Sequence, residues 1–224
     1  MHAILPHHCA LCGASTLNQL LCAGCDADLS HYSTPACPVC ALPALGDQVC
    51  GACLQHPPAF DRTLAAFSYN FPIDRLLHAF KYSGNLALIE ILAKPLAELA
   101  VGHPKPDLLL PMPLHPSRLK ERGLNQSLEI AKPISRWLDI PLAAEACRRT
   151  RDTPTQAGLK LRERRRNVRG AFACDLDLRG KSVAVLDDVM TTGATLEEIS
   201  RALRLRGATT ISAWVVARTV KETG

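Results

Sequence analysis

The chain has 224 residues, 47% of them hydrophobic, which is enough for a packed globular core in one to two domains and excludes a wholly disordered chain. Its net charge of +5 is concentrated: between Arg148 and Arg169 nine Arg or Lys stand against Asp152 and Glu163, giving that segment +7 and the rest of the chain about −2. The start, Met-His-Ala-Ile-Leu-Pro-His-His-Cys, lacks the apolar segment of a secretory signal, and no run of about twenty apolar residues occurs, so a cytoplasmic protein without a membrane span is expected.

The N-terminus carries four Cys-x-x-Cys pairs: Cys9 and Cys12, Cys22 and Cys25, Cys37 and Cys40, Cys50 and Cys53. Thirteen residues separate the two pairs of each half, and the whole unit recurs after twenty-eight. In a reducing compartment such thiols read as metal ligands rather than disulfides. Each half supplies the four thiolates of one tetrahedral Zn²⁺ site, so two sequential zinc ribbons are expected, with Gly13, Gly24 and Gly51 at the turns. Interleaved ligation, iron–sulfur ligation and redox pairs fit the regular repeat less well. With few apolar residues, the segment is not expected to fold without metal, and chelation is expected to unfold residues 9 to 53 while sparing the rest. The ribbons could brace the remainder or dock protein or nucleic acid. Cys147 and Cys174 lack paired spacing and read as core or surface thiols.

His56-Pro-Pro reads as a linker dividing residues 1–57 from 58–224. A strand is expected over Thr63 to Tyr69, then an amphipathic helix over Ile73 to Tyr82 with Ile73, Leu76, Leu77 and Phe80 on one face. Lys81 at its end could meet an anionic ligand, or only solvent. A second helix is expected over Leu86 to Ala100, with Pro95 a site for a kink. After a strand at Leu108 to Pro111 comes a proline-rich exit. There Arg118 and Arg122 can give bidentate donors to phosphate oxygens, or form an exposed pair beside Glu121. Asn125 and Gln126 add amide contacts. Pro133 is expected to kink or restart the helix over Gln126 to Leu138. Arg148 to Gly158 reads as a mobile loop and Leu159 to Asn167 as a basic helix facing an anion, either pyrophosphate or a nucleic-acid backbone. Aromatic residues are only 4% of the chain, which argues against an extended base-stacking platform.

Val183 to Leu186 is a short, β-branched-rich run suited to a buried parallel strand, and Asp187 and Asp188 stand at its end. Thr191, Thr192, Gly193, Ala194 and Thr195 follow. Then Leu196, Ile199 and Leu203 mark a helix closed by Gly207, and Thr210 to Ala217 a further strand. This is a βαβ unit whose ligand site lies at the strand's carboxyl end. Gly193 permits close approach, while the hydroxyls and the free amides of a helix start make a phosphate cradle. The two carboxylates repel phosphate but can accept from sugar hydroxyls or hold Mg²⁺ through water, so the stretch reads a sugar phosphate.

Asp187 to Thr195 resembles the phosphoribosyl pyrophosphate (PRPP) loop of type I phosphoribosyltransferases. The resemblance implies an α/β fold, a parallel sheet flanked by helices. It also places Asp187 and Asp188 on ribose and Thr191 through Thr195 on the 5′-phosphate. Together with the paired-Cys N-terminus, Phe80-Lys-Tyr-Ser-Gly84, Pro111-Met-Pro-Leu-His115, Arg118, Arg122-Gly-Leu-Asn125-Gln126, Gln156 and Arg164 to Asn167, the chain resembles the ComF family over almost its whole length. That resemblance implies a double zinc ribbon before a phosphoribosyltransferase-like domain and a part in bringing single-stranded DNA into the cytoplasm beside a competence helicase. It also implies pyrophosphate contacts from the loop Pro111 to Arg118. It leaves open a PRPP-dependent transferase with Mg²⁺, a non-catalytic nucleotide-sensing module that holds DNA or a helicase, and a nucleotide-salvage transferase. No residue reads as a general base, and the acceptor and oligomeric state are not legible.

Overall fold

The computed structural model describes residues 7–17, 19–32, 35–152 and 168–220. Gln156 and the stretch Arg164 to Asn167, with the basic helix expected over Leu159 to Asn167, lie outside them. Two short strands, β1 (His7–His8) and β2 (Ser15–Thr16), and helices α1 (Ala23–Ala27) and α2 (Gly51–Gln55) belong to the cysteine-rich region. The remaining elements are β3 (Arg62–Ser68), α3 (Ile73–Ser83), α4 (Ile89–Val101), β4 (Leu108–Pro111), α5 (Pro116–Arg122), α6 (Gln126–Leu138), β5 (Cys147–Arg149), β6 (Phe172–Cys174), β7 (Ser182–Met190), α7 (Ala194–Leu205) and β8 (Thr210–Arg218). Among the described residues no helix is long and apolar enough to cross a membrane.

The central sheet is parallel, in the order β3-β8-β7-β4. Its strands are apolar on both faces because helices cover both. Ala184, Leu186, Trp214 and Val216 pack with Leu92 and Leu96 of α4 and Ile130 and Ile134 of α6. Val183, Val185, Ala213 and Val215 pack on the opposite face with Leu196, Ile199 and Leu203 of α7. The sheet edges are also occupied. Along β3, residues of the cysteine-rich region bond to the backbone: Tyr32 N to Ala66 O at 2.9 Å, Ser68 N to Ser30 O at 3.0 Å and Thr63 N to Pro38 O at 3.0 Å. Along β4, Leu109 N donates to Pro141 O and Ala143 N to Leu109 O.

Four expectations change. α6 runs unbroken through Pro133, which is buried together with Ile130 and Ile134; the packed face holds the helix despite the missing amide donor. Arg148 and Arg149 belong to β5 rather than to a loop. Cys147 pairs with Cys174 and Arg149 with Phe172 across an antiparallel ladder, and the Arg149 guanidinium lies 5.6 Å from the Phe172 ring centroid. β7 extends past Leu186 through both aspartates to Met190, since Asp187, Val189 and Met190 keep register with Val215, Ala217 and Arg218. The helix expected to begin at Leu86 opens with a 3-10 turn over Leu86–Leu88 and contains Pro95 within α4.

Candidate functional site

The eight cysteines form two groups in sequence order, Cys9, Cys12, Cys22 and Cys25, then Cys37, Cys40, Cys50 and Cys53, with the ligand atoms of each group within 4.8 Å of one another. Cys12 and Cys22 Sγ are 3.7 Å apart, as are Cys40 and Cys50. A tetrahedron of thiolates on Zn²⁺ has S–S edges of about 3.8 Å from a Zn–S length of about 2.3 Å, so both groups suit the ion. The grouping is sequential. The twenty-eight-residue repeat of the sequence is also a repeat of hydrogen bonds: Gly13 N to Cys9 O matches Ala41 N to Cys37 O, and Cys9 N to Ala14 O matches Cys37 N to Leu42 O.

At the carboxyl edge of the sheet, Pro111 of β4 lies opposite Leu186 of β7, and Met112 N donates to Leu186 O at 2.8 Å. Asp187 and Asp188 follow at that edge. Ser127 Oγ, in the first turn of α6, donates to Asp187 Oδ1 at 3.3 Å, and Asp188 N donates to the same oxygen at 2.9 Å. Burial and the neighbouring Asp188 charge push the Asp187 carboxyl up to about 7, against the pull of Asp188 N, Lys81 and Ser127. Lys81, near the end of α3, forms a 2.7 Å ion pair with Asp188, with side-chain exposures of 19% and 13%. Burial lowers the Lys81 pKa, but Asp188 and then Asp187 outweigh it and hold the ammonium above the ordinary lysine range.

Beyond Met190, the chain turns at Thr191 and Thr192 to Gly193, whose φ of 77° is left-handed and suits glycine as the N-cap of α7. A Cβ there would lie 2.8 Å from Met190 Cε. Helical bonding begins with Glu197 N to Gly193 O at 2.8 Å, so the amides of residues 194 to 196 stand outside it; Ala194 N donates to Thr192 Oγ1 at 3.3 Å. Asp187 and residues 189 to 196 line one hollow.

Arg118 and Arg122 come from α5. Arg118 Nη1 pairs with Glu121 at 3.1 Å, while Arg122 Nη1 donates to Gln126 Oε1 at 3.2 Å and Arg122 Cζ lies 5.8 Å from the Tyr82 ring centroid. At this corner Arg149 feels both sets of charges: burial lowers its pKa, Asp187 and Asp152 oppose this, and the Arg118 and Arg122 charges reinforce it. Asn125 holds the corner's backbone: its Oδ1 caps α6 through Ser127 N and Leu128 N at 3.1 and 3.3 Å, and its Nδ2 donates to Met112 O at 3.1 Å.

The structure thus brings together Asp187, Asp188, Lys81 and the Thr191 to Thr195 loop, while the contacts of Arg118 and Arg122 are with Glu121, Gln126 and Tyr82. Sequence reasoning missed Ser127, Arg149 and Arg218. Ser127 falls at the start of a helix after Asn-Gln, where a polar first turn carries no distinguishing signal. Arg149 was hidden among nine basic residues, and only its strand neighbours Cys147 and Phe172 across from it mark it as different. Arg218 ends an apolar strand, where a buried cation is least expected.

Comparison with known proteins gives matches in both regions. A family model described as a double zinc ribbon domain matches residues 1–54, and a phosphoribosyl transferase domain model matches residues 124–223. The chain is 39% identical over 194 residues to DNA utilization protein YhgH of Escherichia coli O157:H7, covering 82% of this chain and 84% of that protein. It is 35% identical over 209 residues to Competence protein F of Haemophilus influenzae, covering 88% and 90%. Among solved structures, the purine phosphoribosyltransferase of Pyrococcus horikoshii aligns with 22% identity over 58% of this chain and 82% of its own, at a TM-score of 0.39.

Proposed function

The chain belongs to the ComF family, and on that premise we propose that it binds PRPP or a related phosphorylated sugar with Mg²⁺ between β7 and α7 and acts in the uptake or utilisation of DNA. The observation that carries the reading is the continuity of residues 187 to 195: two carboxylates at a parallel strand's carboxyl end lead within a few residues into a left-handed glycine and the first turn of α7. In this reading Thr191 to Thr195 grip the 5′-phosphate with hydroxyls and amides. Asp187 and Asp188 accept from the ribose hydroxyls, and Lys81, Arg118, Arg122 and Arg149 face the diphosphate.

Lys81 has a double use here. By pairing with Asp188 it offsets the acidic pair, so that a polyanionic ligand is not repelled from the hydroxyl acceptors. Among the described residues, the groups of three or more metal-ligating side chains are the two cysteine sets, and Asp187 and Asp188 do not make a further one. They suit an outer-sphere role through water toward an ion carried by the ligand's own oxygens. Such an ion supplies charge neutralisation of a leaving diphosphate. Ionised carboxylates beside ribose would favour positive charge developing at the anomeric carbon. The DNA connection rests on the names of the two relatives.

Calorimetric titration of the zinc-loaded protein with PRPP and Mg²⁺ tests the reading. We expect saturable binding that the Asp187→Asn/Asp188→Asn double variant weakens at least about tenfold, equivalent to about 1.4 kcal/mol. Equal affinity in the folded variant would remove the ribose role, and no binding by wild type would remove the PRPP site. Pyrophosphate release in the same mixture marks a transferase, whereas binding without release marks a sensing module.

A further inference from the structure

The knuckle of the second cysteine group is held to the sheet by its carbonyl groups. Pro38 O accepts from Thr63 N at 3.0 Å, Val39 O from Thr63 Oγ1 at 2.6 Å, Cys40 O from Arg218 Nε at 2.9 Å, and Ala41 O from the Tyr32 hydroxyl. Arg218 is a buried cation, 2% exposed, at the last residue of β8. Its Nη1 donates to Met190 O at 2.9 Å, to Thr219 O at 3.0 Å and to Thr191 O, all of them main-chain acceptors. One guanidinium therefore spans from the metal knuckle to the two residues that open the phosphate loop. Thr63 makes a second bridge, with its Oγ1 4.0 Å from Met190 Sδ, and the methyl end of Met190 lies beneath Gly193.

A buried arginine bonded to carbonyls has its hydrogen bonds but needs a counter-charge. Four thiolates around one divalent ion carry net negative charge, and Cys40 belongs both to that set and to the Arg218 contacts. The first cysteine group differs. Cys9 packs in the core on the opposite face of the sheet, with Leu21 and Leu29, whereas Cys37, Cys40 and Cys53 share a core with Met190 and Leu196.

We propose that the second zinc site is a positioning element for the 191–195 loop, acting through Arg218 as a rigid fork between the Cys40 carbonyl and the carbonyls of Met190 and Thr191, whereas the first zinc site has no such role. The proposal rests on the phosphate-loop reading for its functional meaning, but the coupling itself needs no ligand. Arg218 is a positioning residue: it fixes the backbone from which the loop's hydroxyls and amides are presented. Its planar fork, not its charge alone, sets the geometry, so lysine is a poor substitute.

The test is hydrogen exchange on the full-length zinc-loaded chain, reading peptides spanning residues 9–25, 37–53 and 189–196, with zinc content measured alongside. In Arg218→Lys, exchange at 189–196 should rise at least about tenfold while both zinc ions stay bound. Cys40→Ser should raise exchange at 37–53 and 189–196 together, and Cys12→Ser at 9–25 with 189–196 unchanged. Stepwise chelation of wild type gives the same readout without a substitution, should a variant fail to fold: 189–196 should follow 37–53 and not 9–25. An unchanged 189–196 peptide in both Arg218→Lys and Cys40→Ser, or one that follows 9–25, overturns the coupling. PRPP titration of the same samples separates the two ideas. A loop that loosens with the second metal in a protein that never binds PRPP upholds the coupling and sinks only the phosphate reading.

Discussion

Asp187 carries the conflict between stability and binding in one side chain. Its pKa in the folded protein is raised to about 7 by burial and by Asp188, so between the ordinary carboxylate range and pH 7 the folded chain keeps a proton that the unfolded chain has released. Stability from this group is therefore present at low pH and is lost as pH rises through 7. Replacing Asp187 with Asn removes that cost. We expect Asp187→Asn to gain roughly 1–3 kcal/mol at pH 8 and almost nothing at pH 4, read as the difference in thermal midpoint between the two. A lower midpoint at pH 8 would mean that the carboxylate is stabilised by contacts outweighing its burial. The aspartate pair was legible in the sequence because a strand, two acids, a threonine-rich loop and a helix follow without interruption. Its partner Lys81 was legible only as a cation at a helix end; nothing local told that α3 would carry it to within 2.7 Å of Asp188.

The elements meet at the first turn of α6. Asn125 caps that helix and also ties it to Met112 beyond β4, so its two functions can be separated by chemistry. Asn125→Ala should cost about 1–2 kcal/mol by losing the cap and should carry Ser127 away from Asp187. Asn125→Asp keeps an acceptor for Ser127 N and Leu128 N but loses the donor to Met112 O, and should recover more than half of that stability in chemical denaturation. Equal loss in both would place the value of Asn125 in the Met112 bond instead. Helix periods were readable wherever one face is apolar, as in α3, α4 and α7, and β7 and β8 were readable as continuous apolar runs. They failed where tertiary contacts decide. Pro133 sits within an unbroken α6 because that face is packed, and β5 exists because a partner strand more than twenty residues away satisfies it.

For the whole molecule, sequence spacing alone made the cysteine-rich region a separable module. In the cores, Cys9, Leu21 and Leu29 pack with the sheet on one face, and Cys37, Cys40 and Cys53 on the other. Metal loss should therefore lower the thermal midpoint of the entire chain rather than unfold residues 9 to 53 alone. The fluorescence of buried Trp214, read in a Trp137→Phe background, should report chelation; an unshifted Trp214 transition would restore the picture of an independent module. The spacing of the pairs was enough to assign each ion its four ligands, because thirteen residues suffice to close each set locally. It could not tell that the ribbon side chains would complete the sheet's own cores, which depends on residues far apart in the chain.

The backbone bonds along β3 have a consequence for the chain in solution. Residues 30 to 32 and Pro38 occupy the outer side of an edge strand that would otherwise offer unpaired amides and carbonyls to any similar strand. Zinc removal is therefore expected to bare an apolar strand, and stripped copies should join edge to edge. Light scattering should rise on chelation with a concentration dependence that denaturant at low dose suppresses, and re-addition of zinc should reverse it only before the strands have paired.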